Sequence, residues 1–321
     1  MPETKLTEYR FNSSGYRNDN DLGPKSPDTY RIVVVGTSMA AGFRVPQEET
    51  FATLLPAELS RRTGRKVELY NEALAWRFPN TLTRFFNEAI AAKPDMILWV
   101  LCPGDIGDPW LLRADPAKSL NTRARVWSIL KDAFAKRSFK ESLGLLFSRT
   151  RTATLLTDLL YASPNQYVKS SLLQGSYNSD FLQAESNPDW LGRLKEFDSN
   201  AANIEGQASE AGIPLVVVLV PDRTQVAMIS LMGDWPGGFD PYKLDNDLRS
   251  IVVSHGGTYV DILPGFRAIP NPQLGYYAID GHPNAAGHAT ITRLLSEKLV
   301  DGAVAGLGVS GPQHVGPEPR H

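Results

Sequence analysis

Three short stretches are apolar almost without interruption: Ile32 to Val35 (IVVV), Met96 to Leu101 (MILWVL) and Leu215 to Val220 (LVVVLV). A strand with one wet face alternates apolar and polar residues, whereas a strand covered on both faces does not. The three runs therefore predict parallel strands lying between two helix layers. Further β-rich runs bring the strands to five: Arg31–Val35, Lys66–Tyr70, Met96–Leu101, Pro214–Val220 and Thr258–Ile262. Between them apolar residues recur at helical spacing. Phe51, Leu54, Leu55 and Leu59 mark one helix, which Pro56 should bend or offset. Leu82, Phe85, Phe86, Ala89 and Ile90 mark a second. Leu191, Leu194 and Phe197 open a long third, ending near Ala211-Gly212. Leu244, Leu248, Ile251 and Val252 mark a fourth, and Ile291, Leu294, Leu295 and Leu299 a last one, capped near Asn284. This alternation is the pattern of an α/β fold.

The chain has 321 residues, 42% of them hydrophobic, which is ample for a large core. Residues 1–30 are polar and turn-rich and read as a surface arm. Residues 31–301 read as the folded domain. A segment at about 106–213 interrupts the rhythm. Its stretches VWSILKDAFAKRSF and ESLGLLFSRTRTATLLTDLLY are amphipathic and predict a helical insertion, either a cap over the sheet's end or an elaboration of the helix layer. Residues 302–321 are rich in Gly and Pro and read as a disordered tail. With 33 basic and 35 acidic residues the net charge is −2, so a basic face for nucleic acid is not expected. The single Cys102 excludes an intrachain disulfide and a Cys-rich metal site, and reads as a small buried hydrophobe. No run of about 18 apolar residues is present to span a membrane. The opening MPETKLTEYRF lacks the apolar segment of a signal peptide, which would place a full-length chain in the cytoplasm. A chain trimmed behind an anchor would look the same.

The candidate chemistry begins where the first strand ends, at Gly36-Thr37-Ser38. In an open parallel sheet, ligands bind beyond the carboxyl ends of the strands, where strand order reverses. A serine there presents a nucleophile, and its backbone N–H can serve a developing oxyanion. Equally, Ser38 can be a plain helix N-cap. The motif is neither G-x-S-x-G, since Ala40 stands at its second glycine, nor G-x-G-x-x-G. The base for such a serine would come from YYAIDGHPNAAGHATITRLL, where Asp280 precedes His282 by two residues. An Asp can hold an imidazole by Nδ1–H while Nε2 takes the serine proton. The same residues also read as a turn followed by the Asn284 cap. His288 reads as structural, and His255, in SHGG, as a helix-end turn. A metal reading of Asp280, His282 and His288 lacks a recognisable ligand spacing.

With these residues the chain resembles the SGNH hydrolases, the GDSL esterase/lipase superfamily, over roughly residues 31–105 and 214–299. Gly36-Thr37-Ser38 followed by Gly42 resembles the family's first block, and VPQEETFATLL downstream is similar to many members. Asp280-Gly281-His282-Pro283 resembles its last block. The resemblance implies Ser38 as nucleophile, His282 as base and Asp280 as its partner. It implies a three-layer α/β/α sandwich whose parallel sheet is ordered 2-1-3-4-5, with the triad at the reversal. No cofactor and no metal are implied. The chain departs from the family in three places. Thr37 stands where the first block has Asp. The second block's oxyanion-donating glycine is missing from Asn71-Glu72-Ala73-Leu74-Ala75-Trp76, where the backbone of Ala73 or Ala75 could donate instead. Gly104, in Cys102-Pro103-Gly104-Asp105, stands where the third block has an Asn donor. Losing one such donor typically costs roughly 10²–10³ in turnover. Trp76, Arg77, Trp110 and Arg223 follow strand ends and could line a pocket or simply pack.

The expected function is a serine esterase removing an acyl group, acetyl above all, from a small ester or an acylated carbohydrate. The alternatives are an O-acyltransferase acting on a polysaccharide hydroxyl, and a weakly catalytic carbohydrate-binding domain on the same fold. The resemblance to proteins of exported polysaccharide modification favours the periplasmic or extracellular side. Oligomeric state is not readable from these residues.

Overall fold

The computed structural model describes residues 7–74, 81–107, 163–173, 179–277, 281–304 and 306–308. In chain order its regular elements are β1 (Thr29–Gly36), α1 (Ser38–Ala41), α2 (Phe51–Thr63), β2 (Lys66–Asn71), α3 (Thr81–Ala91), β3 (Met96–Leu101), α4 (Pro103–Gly107), α5 (Pro164–Leu173), α6 (Pro188–Glu210), β4 (Leu215–Leu219), α7 (Arg223–Ser230), α8 (Lys243–Ser254), β5 (Thr258–Val260) and α9 (Ala285–Lys298). The five strands form one parallel sheet in the order β2-β1-β3-β4-β5. The expected sandwich and strand order are therefore present.

The uninterrupted apolar runs arise from burial on both faces. Ile32, Val34, Met96, Leu98, Val100, Val216 and Val218 point to one layer, with Phe51, Leu55 and Leu59 of α2 and Ile291, Leu294 and Leu295 of α9. Val33, Val35, Ile97, Trp99, Leu101, Leu215, Val217 and Leu219 point to the other, with Phe86 of α3, Leu194 and Phe197 of α6, and Leu248 of α8. Alternate residues of one strand thus feed two separate cores.

Four local expectations change. The helix around Pro56 runs through it unbroken from Phe51 to Thr63, and the Ser60 hydroxyl donates to the Pro56 carbonyl at 2.7 Å. The chain also forms α7, which no helical period marked: Arg223 to Ile229 are all buried, so its apolar residues show no preferred face. The stretch after 302 is not wholly loose. Val304 and Leu307 are buried against the first core, and the Arg65 guanidinium donates to the Gly306 carbonyl. The N-terminal arm is anchored as well, since Tyr16 and Arg17 are buried. Of the expected insertion, 108–162 and 174–178 lie outside the described residues, and α5 and α6 occupy the remainder. Among the described residues no helix is long and apolar enough to cross a membrane.

The connections place a crevice at the carboxyl ends of β1 and β3. From β1 the chain passes along the α2 layer to β2. From β2 it crosses back over β1, through α3 on the opposite face, to β3. The connections that leave the carboxyl ends of β1 and β3 run in opposite directions, to β2 and to β4, and open a gap between them. Gly36 ends β1 at this point, paired with Val100. A Cβ on Gly36 would stand 2.7 Å from the Val100 carbonyl oxygen and 2.8 Å from the Ala40 Cβ. Backbone on one side and a helix on the other leave nothing flexible to yield. Gly36→Ala is expected to lower stability by about 1–3 kcal/mol, as overpacking does, read as a shift of the urea midpoint at unchanged slope.

Candidate active site

The turn after β1 removes the helix-cap reading of Ser38. Thr37 occupies the N-cap position of α1, with extended backbone, and Ser38 is the first helical residue. Ser38 is therefore not a cap. Nor does Thr37 cap the helix with its side chain. Its hydroxyl donates instead to Asp105 Oδ1 at 2.8 Å. Asp105, only 5% exposed, accepts the Cys102 N–H at Oδ2, 2.8 Å away, and donates its own N–H to the Cys102 carbonyl. One buried carboxylate thus joins the turn after β1 to the turn after β3. Each of its two oxygens accepts a hydrogen bond, one from a hydroxyl and one from an amide, as burial of a polar group requires. The N–H groups that open α1 are left without a side-chain cap.

The Ser38 hydroxyl faces His282. Ser38 Oγ and His282 Nε2 lie 2.8 Å apart, and both residues are half-buried. With the imidazole proton on Nδ1, Nε2 accepts from the hydroxyl. The loop carrying His282 is docked from both sides. Tyr277 N–H donates to the His282 carbonyl at 2.8 Å, and Asn284 N–H to that of Gly275 at 2.9 Å. Asn284 caps α9, its Oδ1 accepting from Ala286 and Gly287, while its Nδ2 donates to the Leu274 carbonyl. A Cβ on Gly287 would lie 2.1 Å from the Gly275 oxygen, so only glycine permits this docking. On the site side, the Phe43 ring packs 5.1 Å from the imidazole.

The other expected residues fare differently. Asp280, Ala75, Trp76, Arg77 and Trp110 lie outside the described residues. The Ala73 N–H does not offer itself to an oxyanion: it donates to Asn71 Oδ1 at 3.1 Å. Glu72 and Leu74 donate theirs to the Val34 and Gly36 carbonyls. An Asn two residues upstream can take a backbone donor in this way, as in an Asx-turn. Gly104 is exposed in α4, immediately after β3. Arg223 is buried, with Nε donating to the Gln273 carbonyl at 3.3 Å and the guanidinium 4.0 Å from the Tyr167 ring centre. Cys102 is buried. His255 ends α8, its Nε2 2.7 Å from Asp198.

His288 belongs to the scaffold. Its Nδ1 accepts the Phe51 N–H at 3.2 Å, and the two rings stack. Burial pushes its pKa down to about 3, which keeps the ring neutral and Nδ1 able to accept. Among the described residues no three His, Cys, Asp or Glu side chains gather to hold a metal ion.

Two residues near the site escaped the sequence reading. Arg17 comes from the arm and reaches the loop after α1; the signal for it was an aromatic–arginine pair, Tyr16-Arg17, amid polar turn residues. Glu72 follows β2 and is 6% exposed. Burial, with Glu88 facing it, raises its pKa to about 7. Glu88 in turn accepts the Tyr16 hydroxyl.

No family model matches the chain, and no curated protein matches it. Among solved structures it is similar to TesA, at 12% identity and a TM-score of 0.44, over 84% of this chain and 97% of that one. It is similar to the lipase/acylhydrolase from Enterococcus faecalis, at 11% identity and a TM-score of 0.44, over 84% and 95%. It is also similar to the psychrotrophic esterase EstA from Pseudoalteromonas sp., at 10% identity and a TM-score of 0.40, over 84% and 96%.

Glu72 makes stability depend on pH. Its folded pKa of about 7 lies above the ordinary 4.5. As pH rises between these values the unfolded chain releases this proton and the folded chain keeps it, so stability falls across that window. Glu72→Gln is expected to raise the melting temperature at pH 7.5 and to leave it nearly unchanged at pH 4. Parallel wild-type and variant curves over that range would remove Glu72 as the cause.

Proposed function

We propose that the protein is a serine-dependent ester hydrolase acting through an acyl-Ser38 intermediate. The observation that carries this reading is the 2.8 Å contact between Ser38 Oγ and His282 Nε2 at the carboxyl edge of the sheet. A serine is a weak nucleophile until a base accepts its proton, and hydrogen-bond reach to such a base is the first requirement. His282 takes the Ser38 proton as Oγ attacks the ester carbonyl. The imidazolium then returns it to the departing alcohol. Water, deprotonated by His282 in turn, releases the acid from Ser38. The uncapped N–H of Ser38, at the start of α1, supplies an oxyanion donor. Asp280, two residues before His282, is assigned to hold the imidazole by Nδ1, as the resemblance implies. Gly104 brings no side-chain donor, so turnover is expected to lie about 10²–10³ below that of a site with one. The substrate class assigned is a short acyl ester, acetyl above all, on a carbohydrate.

A fluorophosphonate probe read by intact mass tests the chemistry. The wild type is expected to gain one adduct, Ser38→Ala none, and His282→Ala one formed about 10²–10⁴ times more slowly. A folded wild type that takes no adduct overturns the reading. Acetate release from acetylated oligosaccharides, compared with release from long-chain esters, tests the substrate class.

A further inference from the structure

We propose that Arg17 is a positioning residue for the Ser38–His282 pair, an inference that rests on the serine-hydrolase reading. Arg17 comes from the N-terminal segment and is only 5% exposed. Its Nη1 donates to the carbonyls of Ala41, at 2.9 Å, and Gly42, and its Nη2 to that of Val45 at 2.6 Å. Among the described residues no carboxylate forms an ion pair with it. The guanidinium lies instead over the Tyr9 ring, 4.3 Å from its centre. A buried cation compensated mainly by carbonyl dipoles and an aromatic face is held only by accurate geometry. Two of these carbonyls, Ala41 and Gly42, stand at the end of a four-residue helix, which has too few turns to satisfy its own, and the third, Val45, lies in the loop beyond.

The same loop is pinned at Arg44. That residue is not glycine, yet its φ is 65°. Left-handed backbone of this kind persists where the surroundings over-determine it. Arg44 N–H donates to the Tyr9 hydroxyl at 2.6 Å. The Arg44 carbonyl accepts from Thr7 Oγ1 at 3.2 Å and from the Tyr277 hydroxyl at 2.9 Å. Tyr277 also donates its N–H to the His282 carbonyl. One loop, 41–45, is therefore tied to the N-terminal segment and to the His282 loop together. Phe43 sits between the two pinned positions, against the imidazole. Ser38 sits on the helix whose end Arg17 holds. Arg17 touches neither reacting atom. It sets where both stand.

The test uses the whole chain, with p-nitrophenyl acetate as substrate, fluorophosphonate labelling at Ser38 and thermal unfolding. Arg17→Lys keeps the charge but loses the planar fork that reaches three carbonyls. Below its melting transition it is expected to lose about ten- to a hundredfold in kcat and in labelling rate, with KM nearly unchanged. Tyr9→Phe removes one hydroxyl and keeps the ring under Arg17. A smaller loss of the same kind is expected, and this variant decides the matter if Arg17→Lys fails to fold. Folded variants with wild-type kcat and labelling overturn the proposal, as does a loss that tracks only the fraction unfolded. A wild type that takes no adduct at Ser38 overturns the hydrolase reading and the positioning role with it. A wild type that labels beside unaffected variants removes the positioning role alone.

Discussion

A stretch of strand packed on both faces by apolar side chains leaves little place for a working polar one. In β1, β3 and β4 the residues from Ile32 to Val35, Met96 to Leu101 and Leu215 to Leu219 are apolar and buried. Their alternating side chains fill two cores, so each position is already used for packing. Polar chemistry is displaced to the turns at the strand ends. There the connections leaving β1 and β3 diverge, to β2 and to β4, and leave an open crevice. Ser38 stands at that edge because β1 is apolar from Ile32 to Val35, up to the glycine that ends it.

A serine held at a strand end needs a stiff turn beneath it. Gly36 brings β1 against Val100 and α1 at contact distances that leave no room for a side chain. Asp105 binds the Thr37 hydroxyl and the Cys102 amide, locking two strand ends together. Arg17 holds the far end of α1. The serine is thus braced from the sheet, from the neighbouring turn and from the N-terminal segment. A four-residue helix has little stability of its own, so the bracing must come from tertiary contacts.

The resemblance to SGNH hydrolases pointed to Ser38 and His282, 244 residues apart, and the chain brings them within hydrogen-bond distance. Two positions that differ from the family's pattern have partners close by. Thr37 serves as a donor to a buried carboxylate. Ala73 is withdrawn from the crevice because Asn71 takes its N–H. Helix α7 left no periodic trace because it is buried on all sides, although its capping box, Asp222 with Gln225, was present to be read. The arm and the tail are held more firmly than their composition suggests, for a single reason. Polar, glycine-rich composition describes an average, and one arginine or two apolar residues can anchor such a segment. Arg17 does so near the start, and Val304 and Leu307 near the end.

The sequence by itself determined the layered α/β class and the strand set, because burial on two faces and helical burial on one leave different periods. It also singled out Ser38 and His282 as side chains whose chemistry could be joined. It could not determine whether Ser38 was a cap or a partner of His282, since that depends on a contact across 244 residues. Nor could it show that an arginine from a polar arm supports the loop after Ser38. Local spacing encodes which way a side chain points from its own element. Only the packing of distant elements decides what it meets there.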